Sequence, residues 1–438
     1  MAKKNGTRIA FFLALAAAAM LAGGCRNVVN GSSAGKISPA VTAVIPDKPD
    51  LSKDFSAWRA YMDENAVTEE TVAAVRDFSW KTAAELLAGT EKNENYSPLS
   101  LYYALSLAAS GAEGETKEEF LSLLGAEDVE TLASECRKLY SSLYTDGAGK
   151  EGNKSRLTIA NSLWMQEKAA FEDSFLKTAS EDFFASLYTV DFSKPETAAA
   201  MSGWVKENTG GLLAPQMEAD PEQLLSIIDT VCFYDEWTDR FQKKKTAKDT
   251  FYLSGDEDGP AVEREFMNRG ASGGFSVGEN FTRASLSLKQ NGEMVFVLPD
   301  PGVSVEELLA DEEALGEAFS GGSAEYGTIT WKVPKFSFGQ KYDLREALTH
   351  LGLTAAFEDT ADFSAMTKES VWISGIRQET HIGIDENGVE AAAYTEIVYS
   401  GAGMPKDHAD MILNRPFLYA LTSRDGIPLF IGVYRGTE

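Results

Sequence analysis

The sequence predicts a mixed α+β fold in one large domain, and three observations carry that prediction. Helical periodicity fills the stretch from Leu51 to about Tyr188, whereas strand-like runs dominate after Gly211. The two kinds of segment are not interleaved as βαβ units, which argues against a doubly wound sheet. One segment, "NYSPLSLYYALSLAASGA", is largely apolar on every side of its helical period, so it belongs inside a large core. With 438 residues, 44% of them hydrophobic, the chain is long and apolar enough to supply that core.

The elements follow in order. "MAKKNGTRIAFFLALAAAAMLAGGC" has a basic start (Lys3, Lys4, Arg8), an apolar run from Ile9 to Leu21, and small residues before Cys25. The run is too short to span a bilayer comfortably. It resembles a bacterial lipoprotein signal over residues 1–24, with Cys25 as the lipidated first residue of the mature chain. Ala22 stands three before that Cys where Leu is usual, and an ordinary secretory signal with an incidental Cys is the other reading. Either way the chain is exported. Lipidation would hold it at a cell surface or periplasm-facing membrane through an anchor alone, without a span, and otherwise it is secreted.

Residues 25–50 are rich in Gly, Ser and Pro, without a period, and read as a flexible tether. Residues 51–69 open an extra helical segment, and the main domain is expected over 70–438. Ser97-Pro98 starts the apolar helix, Pro being suited to the first helical turn. Further helices are expected to about Tyr188, then strands at "MVFVLP", "TITWKVPKFSF", "VWISGI", "HIGID", "FLYALTS" and "PLFIGVYRG". Helices at Val305–Phe319 and Leu344–His350 interrupt them.

Enzymatic chemistry is scarce. The net charge of −27 argues against nucleic-acid partners and anionic lipid, both of which call for Lys and Arg. His350, His381 and His408 share no ligand spacing, and no CxxC or phosphate-loop motif occurs, so no metal, cofactor or catalytic residue is assigned. Cys136 and Cys232 lie in apolar segments and read as buried thiols, with a disulfide between them as the alternative for an exported chain.

Several segments together resemble the serpin family of protease inhibitors: "NYSPLS" with "GAEGET", "IANSLW", "WVKENTGG", "CFYDEWTDRF", "VPKFSFGQKYDLREALTHLGL", "ADFSAM", "NRPFLYAL" and "PLFIGVY", in family order from about residue 70 to the end. The resemblance implies a single domain of helices and three β-sheets with an exposed reactive-centre loop, here about residues 386–412. It implies a monomer that inhibits serine proteases, with cysteine proteases as a second target class. The family's inhibitory hinge is matched by Glu386, Gly388, Val389, Glu390, Ala391, Ala392, Ala393 and Thr395, with Tyr394 in place of a small residue and Val389 in place of Thr.

In that family a protease attacks the loop, becomes an acyl-enzyme, and is carried off as the loop enters the central sheet as a new strand. Side chains alternate along a strand. Val389, Ala391, Ala393, Thr395 and Ile397 therefore share an inward face of small or β-branched residues, and Glu390 and Tyr394 fall on the other face. Counting from Gly388 as in relatives puts the reactive bond at Ala402–Gly403, with Met404 as the second choice. Ala at that position suits elastase-like or subtilisin-like targets.

The polar cluster at which the family's sheet opens maps to Ser97, Ser100, Asp229 and Gln378, with Trp237 near the upper opening. Asp229 and Gln378 replace the usual Asn and His. A direct hydrogen bond between them is the expectation, with a solvated Asp229 as the alternative. The alternative function is a non-inhibitory member acting as a binding or scaffold lipoprotein.

Overall fold

The computed structural model describes the backbone of residues 9–19, and residues 37–51, 53–147, 155–290, 292–389 and 407–437. Among them the chain forms ten α-helices and sixteen strands.

One large sheet, of seven strands, has the order β11 (Phe336–Asp343), β12 (Val371–Ile384), β1 (Ile9–Ala19), β5 (Leu225–Glu236), β3 (Arg156–Gln166) and β4 (Ala185–Val190). A two-residue strand, β13 (Gly388–Val389), also pairs with β5. The second sheet has nine strands in two lobes. One lobe holds β14 (Asp407–Ile412), β10 (Ser323–Pro334), β7 (Ala261–Val277) and β6 (Ala247–Tyr252); the other holds β8 (Phe281–Ser287), β9 (Glu293–Pro299), β15 (Phe417–Thr422), β16 (Pro428–Tyr434) and β2 (Glu94–Tyr96). Only a short pairing of Phe275–Val277 with Thr282–Ala284 joins the lobes, so the three expected sheets appear as one separate and two fused.

The helices are α1 (Phe55–Glu64), α2 (Glu69–Leu87), α3 (Pro98–Ala109), α4 (Gly114–Leu124), α5 (Val129–Leu143), α6 (Asp173–Glu181), α7 (Pro195–Asn208), α8 (Val305–Leu308), α9 (Glu312–Ser320) and α10 (Arg345–His350). Every residue of α3 is buried, as its all-round apolar sequence requires. It runs against β5 and β1 and reaches β16, linking the two sheets. Pro98 takes the first helical position and the Ser97 hydroxyl caps the helix by accepting from Ser100 N.

Three expectations are corrected here, and one segment takes an unexpected place. Helices do not run unbroken to Tyr188: β3 and β4 interrupt them, and β3 earns its place by pairing along its whole length with buried β5. The tether is not loose over its second half. Ala40 N donates to Leu187 O at 2.7 Å and Leu187 N to Val41 O at 2.8 Å, so the segment lies on the edge of β4, whose outer backbone groups would otherwise lack partners. Farther on, Lys48 donates to Ser142 O at 2.5 Å, and burial pulls its ammonium down to about 8. The loop also ends sooner than residue 412, because Asp407–Ile412 pairs in parallel with β10. Ile9–Ala19, expected to be a leader, pairs as a strand of the large sheet, between β5 and β12. Its apolar residues suit either a leader or a strand, and the pairing does not decide whether they are removed. This pairing leaves open what happens at Cys25, which lies outside the described residues. Cys136 and Cys232 are buried and no disulfide joins them. Burial pushes the Cys136 thiol up to about 12.

Candidate functional site: the loop hinge and the sheet seam

β12 leads directly into the hinge. Asp385 N donates to Gly388 O at 3.1 Å, closing a tight turn. The Asp385 carboxylate accepts from Asn387 N at 2.8 Å and from its Nδ2 at 2.9 Å. Trp237, buried at the end of β5, fastens the turn from the other side. Its Nε1 donates to Asp385 O at 2.8 Å and its backbone N to Asn387 O at 2.9 Å.

Glu386 is 5% exposed, and its burial demands partners. Thr246 Oγ1 donates to Oε1 at 2.8 Å, Lys335 Nζ lies 3.3 Å from Oε2, and Phe241 N donates to Glu386 O at 3.0 Å. Burial by itself would raise this carboxyl, but the backbone, Thr246 and Lys335 outweigh it and hold it below the ordinary Glu value.

Gly388 and Val389 then pair antiparallel with Glu236 and Asp235. A Cβ at Gly388 would collide with the carbonyl oxygen of Asp235 and lie 2.6 Å from Glu236 Cα, so glycine is needed there for close backbone approach. Val389 is fully buried. Glu390, Ala391, Ala392, Ala393, Tyr394, Thr395, Ile397, Ala402, Gly403, Met404 and the candidate bond lie outside the described residues.

The seam cluster is assembled at the start of α3. Gln378, in β12, uses both ends of its amide on Ser97: Ser97 N donates to Oε1 at 2.9 Å and Nε2 donates to Ser97 O at 2.8 Å. Ser97 Oγ donates to Leu429 O at 2.8 Å. Ser100 Oγ donates to Asp229 Oδ1, and the other carboxylate oxygen, Oδ2, is buried with no partner among the described residues. Burial raises the Asp229 carboxyl well above its usual range, and the Ser100 bond offsets only part of that.

The direct Asp229–Gln378 hydrogen bond is therefore a mistaken expectation. The two are not neighbours in the sheet: Leu15 of β1 is the register partner of both, so a strand runs between them. Each reaches down to a different serine of the same helical turn instead.

Reading the sequence alone missed three anchors: Thr246, Lys335 and Asp235. Asp235 is fully buried at the top of β5, accepting from Ser155 Oγ at 2.5 Å, Glu236 N at 2.8 Å and Gln290 N at 2.8 Å. Its signal was faint but legible, a carboxylate inside an apolar strand beside an aromatic, "FYDEW". Thr246 and Lys335 carry no local signal, because their partner stands 140 and 51 residues away.

Comparison with known proteins fits this geometry. Serpin-ZX of Arabidopsis thaliana is 27% identical over 386 residues, covering 83% of this chain and 97% of its own. Iripin-2 of Ixodes ricinus is 27% identical over 366 residues, covering 81% of this chain and 90% of its own. The crystal structure of a thermophilic serpin, tengpin, in the native state superposes with a TM-score of 0.75 at 26% identity, covering 92% of this chain and all of that one. The family model described as Serpin (serine protease inhibitor) matches residues 73–435. A hinge docked at the head of a large sheet, a polar seam beneath it and a match over most of the length agree: the chain belongs to the serpin family.

Proposed function

We propose that this protein is a suicide-type inhibitor of serine proteases, anchored at the outside of the cell by lipid on Cys25 and acting as a monomer. One observation carries the inhibitory reading: the hinge enters the head of the large sheet already paired, through Gly388 and Val389, with the strand it would extend along.

The chemistry is supplied by the target. The protease's serine Oγ attacks the carbonyl carbon of Ala402. The Ala402–Gly403 bond breaks, Gly403 departs as a free amine carrying the transferred proton, and Ala402 remains as an ester on the protease. A freed loop can then lengthen the two-residue pairing at β13 into a full strand. About fifteen residues gaining roughly 1 kcal/mol each in net ladder hydrogen bonds give on the order of 15 kcal/mol. That rivals the roughly 5–15 kcal/mol holding an ordinary domain together, so it can distort a tethered protease. Ala402 favours elastase-like or subtilisin-like enzymes over trypsin-like ones, and Met404 as the reactive residue would keep an apolar preference.

Incubation with elastase, subtilisin and trypsin followed by denaturing gels tests the reading. A complex that survives detergent, with release of a small C-terminal fragment, is expected for the first two enzymes. Cleavage without a complex would instead favour a non-inhibitory scaffold role, and the N-terminus of the fragment would locate the bond. For the anchor, Cys25→Ala is expected to move the protein from the membrane to the soluble fraction.

A further inference from the structure

The central seam of the large sheet is already filled. β1 pairs in parallel with β12 from Ile9↔Val371 to Ala18↔His381, and with β5 from Phe12↔Ser226 to Ala19↔Phe233. Immediately above, Gly388 and Val389 hold Glu236 and Asp235. On β5 the N-terminal strand and the hinge thus meet with only Tyr234 between them.

Continuing the hinge's antiparallel register down β5 would bring Ala391 opposite Phe233, the position held by Ala19, and Thr395 opposite Asp229, the position held by Leu15. One seam cannot hold both strands. We infer that the seam between β5 and β12 is a strand-binding site for the chain's own Ile9–Ala19 segment, and that while this segment is retained it stops the reactive loop at its second inserted residue. The inference rests on the loop-insertion reading above.

Three features fit a displaceable stop rather than a permanent strand. The segment runs parallel to both neighbours, whereas a loop folding back from β12 would run antiparallel to both, the slightly more stable pairing. β12 and β5 both continue past the end of β1, and the hinge already stands on that free upper end. The occupant joins the rest of the fold through residues 20–36, so loss of the N-terminal residues frees the seam without touching any other strand. An inhibitor retaining its N-terminus is silent, and removal of that segment arms it.

The test uses the purified full chain beside a full-chain Ala14→Pro/Ala17→Pro variant. These positions have opposite parity along the strand, so the pair removes one backbone donor toward each neighbour. By amide exchange, the edges of β5 over residues 227–233 and of β12 over 375–381 should be protected at least about tenfold more in the unaltered chain than in the variant. After the loop is cut by subtilisin, the variant should show a sharp rise in melting temperature and the unaltered chain little or none. With elastase, the fraction of loop cleavages ending in a stable complex should be roughly tenfold higher in the variant.

Equal exchange at those edges, or equal melting rises on cleavage, would overturn the inference. Should the variant fold poorly, exchange in the unaltered chain still decides, because open edges there would refute the stop outright. The proposed function fails separately: a differential melting rise with no complex in either chain would leave the strand stop standing and remove inhibition.

Discussion

The two sheets of this molecule differ in how completely they are closed. In the second sheet β9, β15 and β16 are buried almost throughout, and the rings lock together: Phe417 lies 5.9 Å from Phe296 and 5.4 Å from Tyr434, and Phe336, at the start of β11 in the large sheet, stacks on Tyr434 from outside at 4.8 Å. Antiparallel pairing of β15 with β16, the next strand in sequence, and with β9 holds it in register. In the large sheet, the same depth of burial surrounds polar groups. Asp229, Asp235, Gln378 and Thr380 all sit within the seam strands, and one Asp229 oxygen has no partner among the described residues. A sheet sealed by apolar contacts resists opening, whereas one lined with polar groups separates at lower cost and can accept another strand. The two sheets thus differ in where their buried polar groups lie.

The sharpest way to break this division is Phe417→Ala, which removes a fully buried ring from the closed sheet. It should cost about 3–5 kcal/mol in denaturant unfolding while leaving the fraction of loop cleavages that yield a complex unchanged. A loss of complex formation at full folding would show that the closed sheet also drives the transition.

Glu386→Gln should cost less, about 1.5–3 kcal/mol, by weakening the charged contacts with Lys335 and Thr246. Its pH signature has a definite sign. A folded carboxyl held below its ordinary value contributes stability above the ordinary Glu range and loses it as pH falls through the depressed value. Melting curves of the parent should therefore fall toward acid more steeply than those of the variant.

Asp229→Asn acts in the opposite sense. Because burial raises this carboxyl, the folded state holds the proton more tightly than the unfolded one. Its stabilising share is complete below the ordinary Asp range and disappears as pH rises toward the raised value. The variant should gain about 1–2 kcal/mol near neutral pH and lose that part of the pH dependence, read as the difference between melting temperatures at pH 5 and pH 8. Trp237→Phe should be the mildest, about 0.5–1.5 kcal/mol for the lost bond to Asp385 O. It should raise the rate at which the hinge is cut while altering overall unfolding little.

Legibility from sequence followed how local each cause was. The start and burial of α3 were readable because Ser97, Pro98 and an all-round apolar pattern are contiguous. β15 and β16 were readable for the same reason, as short apolar runs bounded by turn residues. β7 was not, since Gly270, Gly273 and Gly274 break any strand pattern and are tolerated only because β10 pairs along their whole length. β14 holds "DHADMI", which looks like loop until β10 provides an edge. Of the seam cluster, the membership of Ser97, Ser100, Asp229 and Gln378 came from the family resemblance, but their pairing did not, because it depends on which strand lies between β5 and β12.

By itself the sequence determined the class of fold, from the order of its helical and strand-like segments, and the small-residue character of residues 389–395, while the family and the expected hinge came from the resemblance of short motifs to known relatives. Tertiary structure alone decided how the Glu386 carboxylate is held, why Gly388 admits no side chain, and which serine each seam residue reaches. It also decided that an apolar N-terminal segment, equally suited to a leader or a strand, lies in the seam. The physical reason is common to all of these: backbone and buried polar groups must find partners, and which partner is free depends on chain segments hundreds of residues away.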